Sequence, residues 1–208
     1  MIGVWTNQNP FNVGYTSADQ LQNAREIYGY FDREGWTLNA ISGMLGNMND
    51  ESYINPAQWQ MGHTIEDPSV PNDTGFGLVQ WTPWYNYPVA PFGSWSAGSS
   101  WRIDYIKQLD RIQYELEYDE LHPNQGQWIK TAQAGNLSFK EFSESTATPA
   151  DLAYYFFFGY ERGVSWDSHR QLAANYWYAE LSNYGPLPPS GRRLPIWLLF
   201  KLKERYYK

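Results

Sequence analysis

The chain has 208 residues, of which 18% are aromatic, with 11 Trp, 17 Tyr and no Cys. That length suits one domain with a sizeable core, and the lack of Cys excludes a disulfide framework, a thiolate metal site and a thiol nucleophile. A formal net charge of −7 argues against nucleic acid as the main partner.

The charge is uneven. Residues 192–208 hold six Lys/Arg and one acid, so this tail carries +5 and leaves −12 on the remainder. His63, His122 and His169 lack any close metal-ligand spacing, and no metal or cofactor is expected. The first residues, MIGVWTNQNPF, have no basic n-region or apolar h-region, so export by the usual signal is not expected. No run approaches the length of a membrane span. The aromatic excess is more than a core of this size absorbs with ease. Some of it either fills seams between elements or lines a cleft of the kind that binds sugars.

After an aromatic, Asn-rich leader, Ser17 can cap a helix to about Gly35, with Leu21, Ala24, Ile27, Tyr28 and Phe31 at helical spacing. Thr37 can cap a second helix, with Ala40, Ile41, Met44, Leu45 and Met48 on one face. Gly43 and Gly46 lower its intrinsic propensity, so it is expected to depend on close packing. It should end near Glu51–Ser52, before the Asn55–Pro56 turn signal. Residues 53–100 are rich in Pro, Gly, Asn, Asp, Ser and Trp. Within them, residues 75–82 are the best strand candidate, as part of a small hairpin, and residues 85–100 read as a long loop.

A helix is predicted from about Ser100 to Tyr118, and Ser138-x-x-Glu141 is a capping-box pattern for a short one. Pro149 fits the first turn of a helix over Ala150–Tyr160, and another runs from about Asp167 to Leu181. Residues 1–185 therefore read as one mostly helical α+β domain. Residues 186–208 read as a Pro-rich linker followed by a short basic amphipathic segment. That segment can fold back on the acidic body, dock on a partner protein or meet an anionic surface.

Glu51 stands out on physical grounds. It continues the apolar side of its helix, three residues past Met48 and seven past Met44. Desolvation and the negative end of the helix dipole would both favour a protonated carboxyl there. A protonated carboxyl is what cleavage of a glycosidic bond needs, because the leaving oxygen must receive a proton. On position alone, a solvated helix-end acid is the simpler reading.

The surroundings change that balance. The run Gly46-Asn-Met-Asn-Asp-Glu51-Ser52-Tyr-Ile-Asn55-Pro56 is followed by Gly75-Phe-Gly77-Leu78-Val-Gln80-Trp81-Thr-Pro83-Trp84. This resembles the paired motifs of goose-type lysozymes and soluble lytic transglycosylases, and its fuller form resembles the phage tail lysozymes. The resemblance is strong over residues 37–84 and extends more weakly through Gly163, where Phe158-Gly-Tyr160-Glu161-Arg162 is similar to a third region of the family.

It implies a lysozyme-like fold with a small β-hairpin beside the cleft, Glu51 as catalytic acid, and Gln80, Gly77 and Leu78 lining the cleft near the scissile sugar. A Gln amide can donate to and accept from sugar hydroxyls or an N-acetyl group. Trp59, Trp81, Trp84 and Tyr87 are candidate sugar platforms, with core packing the alternative for each. Tyr160 and Glu161 either close the cleft wall or brace Arg162. Ser52 is expected to hold the helix end.

A second carboxylate is harder to place. Asp50 lies about 100° around the helix from Glu51 and is expected to point elsewhere. Asp73, ahead of Gly75, can hold a water opposite Glu51, or Asn72-Asp73-Thr74-Gly75 is simply a turn.

The implied activity is hydrolysis of the β-1,4 bond between N-acetylmuramic acid and N-acetylglucosamine in bacterial peptidoglycan, by an enzyme carried on a virion tail. Phage tail proteins are candidate partners for the C-terminal segment. A lytic transglycosylase using the same Glu, and an inactive virion structural or wall-binding module, are the alternatives.

Overall fold

The computed structural model describes residues 15–60, 74–82, 105–122 and 125–184. The leader, the loop at 85–100, the linker and the basic C-terminal segment lie outside these residues.

Capping chemistry sets where the helices begin. Thr16, one residue ahead of the expected Ser17, caps α1 (Ser17–Arg33) in a reciprocal capping box with Asp19. Thr37 caps α2 (Leu38–Ser52) by accepting from the Ala40 N–H, and α2 ends where the sequence places it. The helix α3 spans Tyr105–Leu121. Ser138 and Glu141 form the expected capping box at α4 (Phe139–Ser143). Thr148 caps α5 (Pro149–Phe156), with Pro149 in the first turn.

Beyond α5 the structure departs from expectation. The helix predicted to run on to Tyr160 instead widens into a π-turn over Phe157–Glu161, closed by Arg162 in the left-handed conformation at φ 57°. The last described helix, α6, spans His169–Ser182.

The helix α2 is the central element, packed mainly on α6 and α5. Its glycines explain how. A Cβ on Gly46 would lie 2.4 Å from the Arg170 carbonyl oxygen and 2.8 Å from the Ala174 Cβ, and one on Gly43 would lie 2.7 Å from the Leu152 Cβ. Only glycine lets both neighbouring backbones come this close. The propensity lost in α2 is offset by burial: Ala40, Ile41, Met44, Leu45 and Met48 are all fully buried.

Within the same core, the rings of Trp36, Trp128, Phe139, Phe142, Phe156 and Tyr160 join α4, α5 and the π-turn to the segment that follows α1. Among the described residues, Trp36, Trp59, Trp81, Trp128 and Trp177 are all buried. These five fill the interior rather than a cleft.

Among the described residues no extended strand forms at 75–82. Single antiparallel bridges link Trp59 to Phe76 and Phe76 to Trp81, and residues 77–80 form a tight turn. The turn reverses through Gly77 at φ 85° and Gln80 at φ 48°. The turn takes up residues 77–80, and the pairing around it is limited to those two bridges.

Candidate active site

The end of α2 is where the chemistry collects. After Ser52 the chain reverses through two consecutive left-handed residues, Tyr53 at φ 53° and Ile54 at φ 57°. Such a conformation is costly for a β-branched residue and persists only when held from outside. Here α1 holds it. The Tyr15 hydroxyl donates to the carbonyls of Tyr53 and Ile54 at 2.9 and 3.0 Å, and the Asn23 amide donates to Ile54 O at 3.0 Å.

Ser52 is fully buried, with its Oγ 2.9 Å from both Met48 O and Leu78 O. This ties the helix end to the 77–80 turn, the structural role expected of it. Gln108 on α3 clips the same two pieces. It donates to Pro56 O at 2.7 Å and accepts from the Leu78 N–H at 2.9 Å.

These ties place Glu51 and Gln80 on one pocket of about 350 Å³, lined by Asp50, Glu51, Tyr53, Gln58, Gln60, Gln80 and Thr82. The Gln80 NH2 group donates to the carbonyls of Gln58 and Gly77 at 3.1 and 2.9 Å. Its amide is therefore fixed in orientation, and its carbonyl oxygen is the group it can offer a ligand. Tyr53 is 41% exposed and also lines the pocket, which makes it an aromatic surface that the sequence did not single out.

Arg170, near the start of α6, organises the acids. Its Nη2 donates to Glu51 Oε1 at 2.6 Å, its Nη1 to Glu161 Oε2 at 3.1 Å, and its Nε lies 3.7 Å from Asp50 Oδ2. Nη1 also lies 3.2 Å from Asn47 Oδ1, and the guanidinium carbon sits 4.8 Å from the centre of the Phe157 ring. Burial works against the charge on Arg170, but Glu161, Glu51 and Asp50 outweigh it and hold its proton more tightly than usual.

Burial pushes the Glu161 carboxyl well above the usual range, and the Glu51 charge pushes it further, with Arg170 opposing. Burial likewise raises Asp50, again against Arg170. Asp50 does not point away as its helical offset suggested. It lines the same pocket as Glu51, because the long Arg170 side chain spans the helix end and reaches both.

The sequence candidates divide. Glu51 and Gln80 share the pocket. Gly77 and Leu78 stand behind it: Leu78 is fully buried, and a Cβ on Gly77 would lie 2.8 Å from Gln108 Oε1. Trp59 and Trp81 are 2% and 8% exposed and pack in the interior, Trp59 against Phe76. Tyr160, 1% exposed, turns into the core and donates its hydroxyl proton to Glu115. Glu161 braces Arg170 rather than Arg162, whose guanidinium instead donates to Gln127 Oε1 at 2.8 Å. Asp73, Trp84 and Tyr87 lie outside the described residues.

Arg170, Gln58, Gln60, Gln108 and Tyr53 carried no signal in the sequence. Arg170 lies 119 residues from Glu51, and only the packing of α6 on α2 joins them.

A mainly helical domain with a helix-terminal Glu facing a Gln-bearing turn is an arrangement that suits a lysozyme-like protein. The profile of the phage tail lysozyme family matches residues 22–181, and the chain belongs to this family. It is 38% identical over 176 residues to morphogenesis protein 1 of Bacillus phage B103. That stretch is 84% of this chain but 43% of the relative, so the chain spans less than half of that protein's length.

Proposed function

We propose that the chain is a peptidoglycan muramidase of a bacteriophage, cleaving the β-1,4 bond between N-acetylmuramic acid and N-acetylglucosamine with Glu51 as general acid. One observation carries the reading: Glu51, anchored by Arg170, shares a pocket with the fixed amide of Gln80. Arg170 takes Oε1, and a carboxyl has a second oxygen through which to pass a proton.

In this mechanism the Glu51 O–H donates to the glycosidic oxygen, the bond to the anomeric carbon breaks, and an oxocarbenium-like transition state develops. The carboxylate left behind stays paired with Arg170. Water, guided by Asp73 or by the Gln80 carbonyl oxygen, then adds to the anomeric carbon and gives up its proton to Asp73 or to bulk water, and Glu51 is reprotonated from solvent for the next turnover. Tyr53 offers a ring to an apolar sugar face. The relative's name speaks of morphogenesis, which fits assembly into the virion, with the tail as the site of delivery and the C-terminal segment as its attachment. An acidic body is poorly captured by an anionic wall, and attachment to a particle removes the need for such capture.

A cell-wall zymogram with wild type and Glu51→Gln side by side tests this. The variant should lose about 10²–10⁴-fold in activity. Clearing by the variant at the wild-type rate would sink the assignment. Mass spectrometry of the released fragments separates reducing ends, left by water, from the anhydro ends that attack by the muramyl 6-hydroxyl would leave. Tight wall binding with no released fragments would point instead to an inactive virion module.

A further inference from the structure

The helix α3 has a core side and a ring side. Leu109, Ile112 and Leu116 face the core and are no more than 2% exposed. On the opposite side Arg111, Tyr114 and Tyr118 follow at intervals of three and four residues and form one stripe. Tyr114 and Tyr118 are half-buried. Their ring centroids lie 6.0 Å apart with a tilt of 39°, and Tyr118 lies 4.5 Å from the ring of the exposed His122 one turn on. The core does not need these rings, because the other side of α3 supplies it.

The segment 125–127 faces the stripe. Between them lies a pocket of about 340 Å³, lined on α3 by Arg111, Tyr114, Glu115 and Tyr118 and across from it by Gln125, Gly126 and Gln127. It shares no described residue with the pocket of Glu51.

The floor and one wall are fixed from within. The Arg111 Nε–H donates to Glu115, whose other oxygen accepts from the Tyr160 hydroxyl. The Gln127 amide is engaged at both ends, donating to Tyr160 O at 2.8 Å and accepting from Arg162 Nη2 at 2.8 Å. The one arginine of the pocket is therefore already paired, and the site does not demand an anion. At the rim Gln125 is exposed, with an amide that can donate and accept.

Ring faces beside uncharged amides suit a ligand with apolar faces and an edge of groups that both donate and accept. A pyranose ring is built in that way, with C–H groups on its faces and hydroxyl or acetamido groups around its edge. A peptide presenting carboxylates would call for an uncommitted cation instead.

We propose that this pocket is a second saccharide-binding site, which holds a sugar of a glycan strand against Tyr114 and Tyr118, apart from the pocket of Glu51. The π-turn braces both places: Tyr160 bonds Glu115 under one, and Glu161 bonds Arg170 beside the other. A second hold on the same polymer raises the effective concentration of strand at the first. An acidic body that an anionic wall does not attract gains most from such a hold. Peptidoglycan as that polymer rests on the muramidase reading; the saccharide class does not.

The test is a titration of the intact chain carrying Glu51→Gln with the tetramer of β-1,4-linked N-acetylglucosamine, followed through backbone amide shifts by NMR. Amides of residues 111–118 and 125–127 should respond, and their binding curve is fitted separately from that of the amides around Gln80. Adding Tyr118→Ala should weaken binding at 111–127 by about 3- to 10-fold, the worth of one well-placed ring, with the curve around Gln80 unchanged. Gln125→Ala, at an exposed side chain, should give a smaller loss of the same kind, and it keeps the test sound if Tyr118→Ala fails to fold. Amides at 111–127 that ignore the tetramer would overturn the proposal, and so would an affinity there that Gln125→Ala and a folded Tyr118→Ala both leave unaltered. A response there to a short acidic peptide and not to the tetramer would make this a peptide pocket and overturn it equally. A response at 111–127 with none around Gln80 would uphold this site while counting against the muramidase reading.

Discussion

Glu51 holds a position built by its neighbours, and Ser52 is the one whose removal is cleanest to interpret. Its single hydroxyl proton serves the carbonyls of Met48 and Leu78, and both contacts lie in the interior. The change Ser52→Ala leaves the Leu78 carbonyl without its link to α2, which should cost roughly 1–3 kcal/mol of stability, read as a fall in urea midpoint. The 77–80 turn would also lose its tie to the helix end, so KM should rise more than kcat falls. An unchanged KM would show that the turn is held without Ser52.

The motif around Glu51 and Gln80 was legible because it is local: helix end, turn signal, glycine-flanked Gln. The backbone that shapes it was not. Nothing in the letters Tyr53-Ile54 announces two left-handed residues, because the cost of that conformation is met by Tyr15 and Asn23 from α1.

Helix starts were the most readable elements, since a cap is a short-range hydrogen bond between residues three apart. Thr37, the Ser138–Glu141 box and the Thr148–Pro149 pair all place helices where their chemistry says. The end of α5 was not readable. A π-turn is chosen by what Tyr160 and Glu161 find to pair with, and those partners lie on α3 and α6.

The expectation that α2 depends on close packing was met through its glycines, and it can be tested directly. In isolation Gly46→Ala should favour the helix by about 1 kcal/mol. In the folded chain the new methyl meets backbone of α6 rather than the end of a flexible side chain. Net destabilisation of roughly 1–3 kcal/mol is therefore expected, seen as a lower midpoint of thermal unfolding. Because the displaced atom belongs to Arg170 itself, activity should fall further than the loss of folded protein explains. A Gly46→Ala protein with wild-type stability would mean that α2 and α6 can separate freely.

Across the molecule, two buried glutamates make stability depend on pH. Burial pushes Glu115 upward against the opposing pull of Arg111 and Tyr160, and Glu161 is pushed up by burial and by Glu51. For both, the native state holds a proton that the unfolded chain has lost above the ordinary glutamate pKa of about 4.3. Their contribution is fully present below that pH and is lost as pH rises through each raised native value, so stability should decline with rising pH across that window and then level off. In Glu115→Gln the decline in melting temperature between about pH 4.5 and 7.5 should be shallower than in wild type. An equal slope would show that Glu115 is ionised throughout, held as a carboxylate by Arg111.

The sequence by itself determined the helical frame, the caps and the pairing of Glu51 with Gln80, because each depends on residues within a few turns of one another or on a motif with fixed spacing. It also determined that no thiol chemistry takes place here. Only the tertiary structure decided that one arginine holds the acids together, that the 75–82 segment is a turn and not a strand, and that Trp59, Trp81 and Tyr160 belong to the interior. The physical reason is the same in each case: the partners come from separate elements brought together by packing, and a charge or a ring takes its role from what surrounds it once water has been excluded.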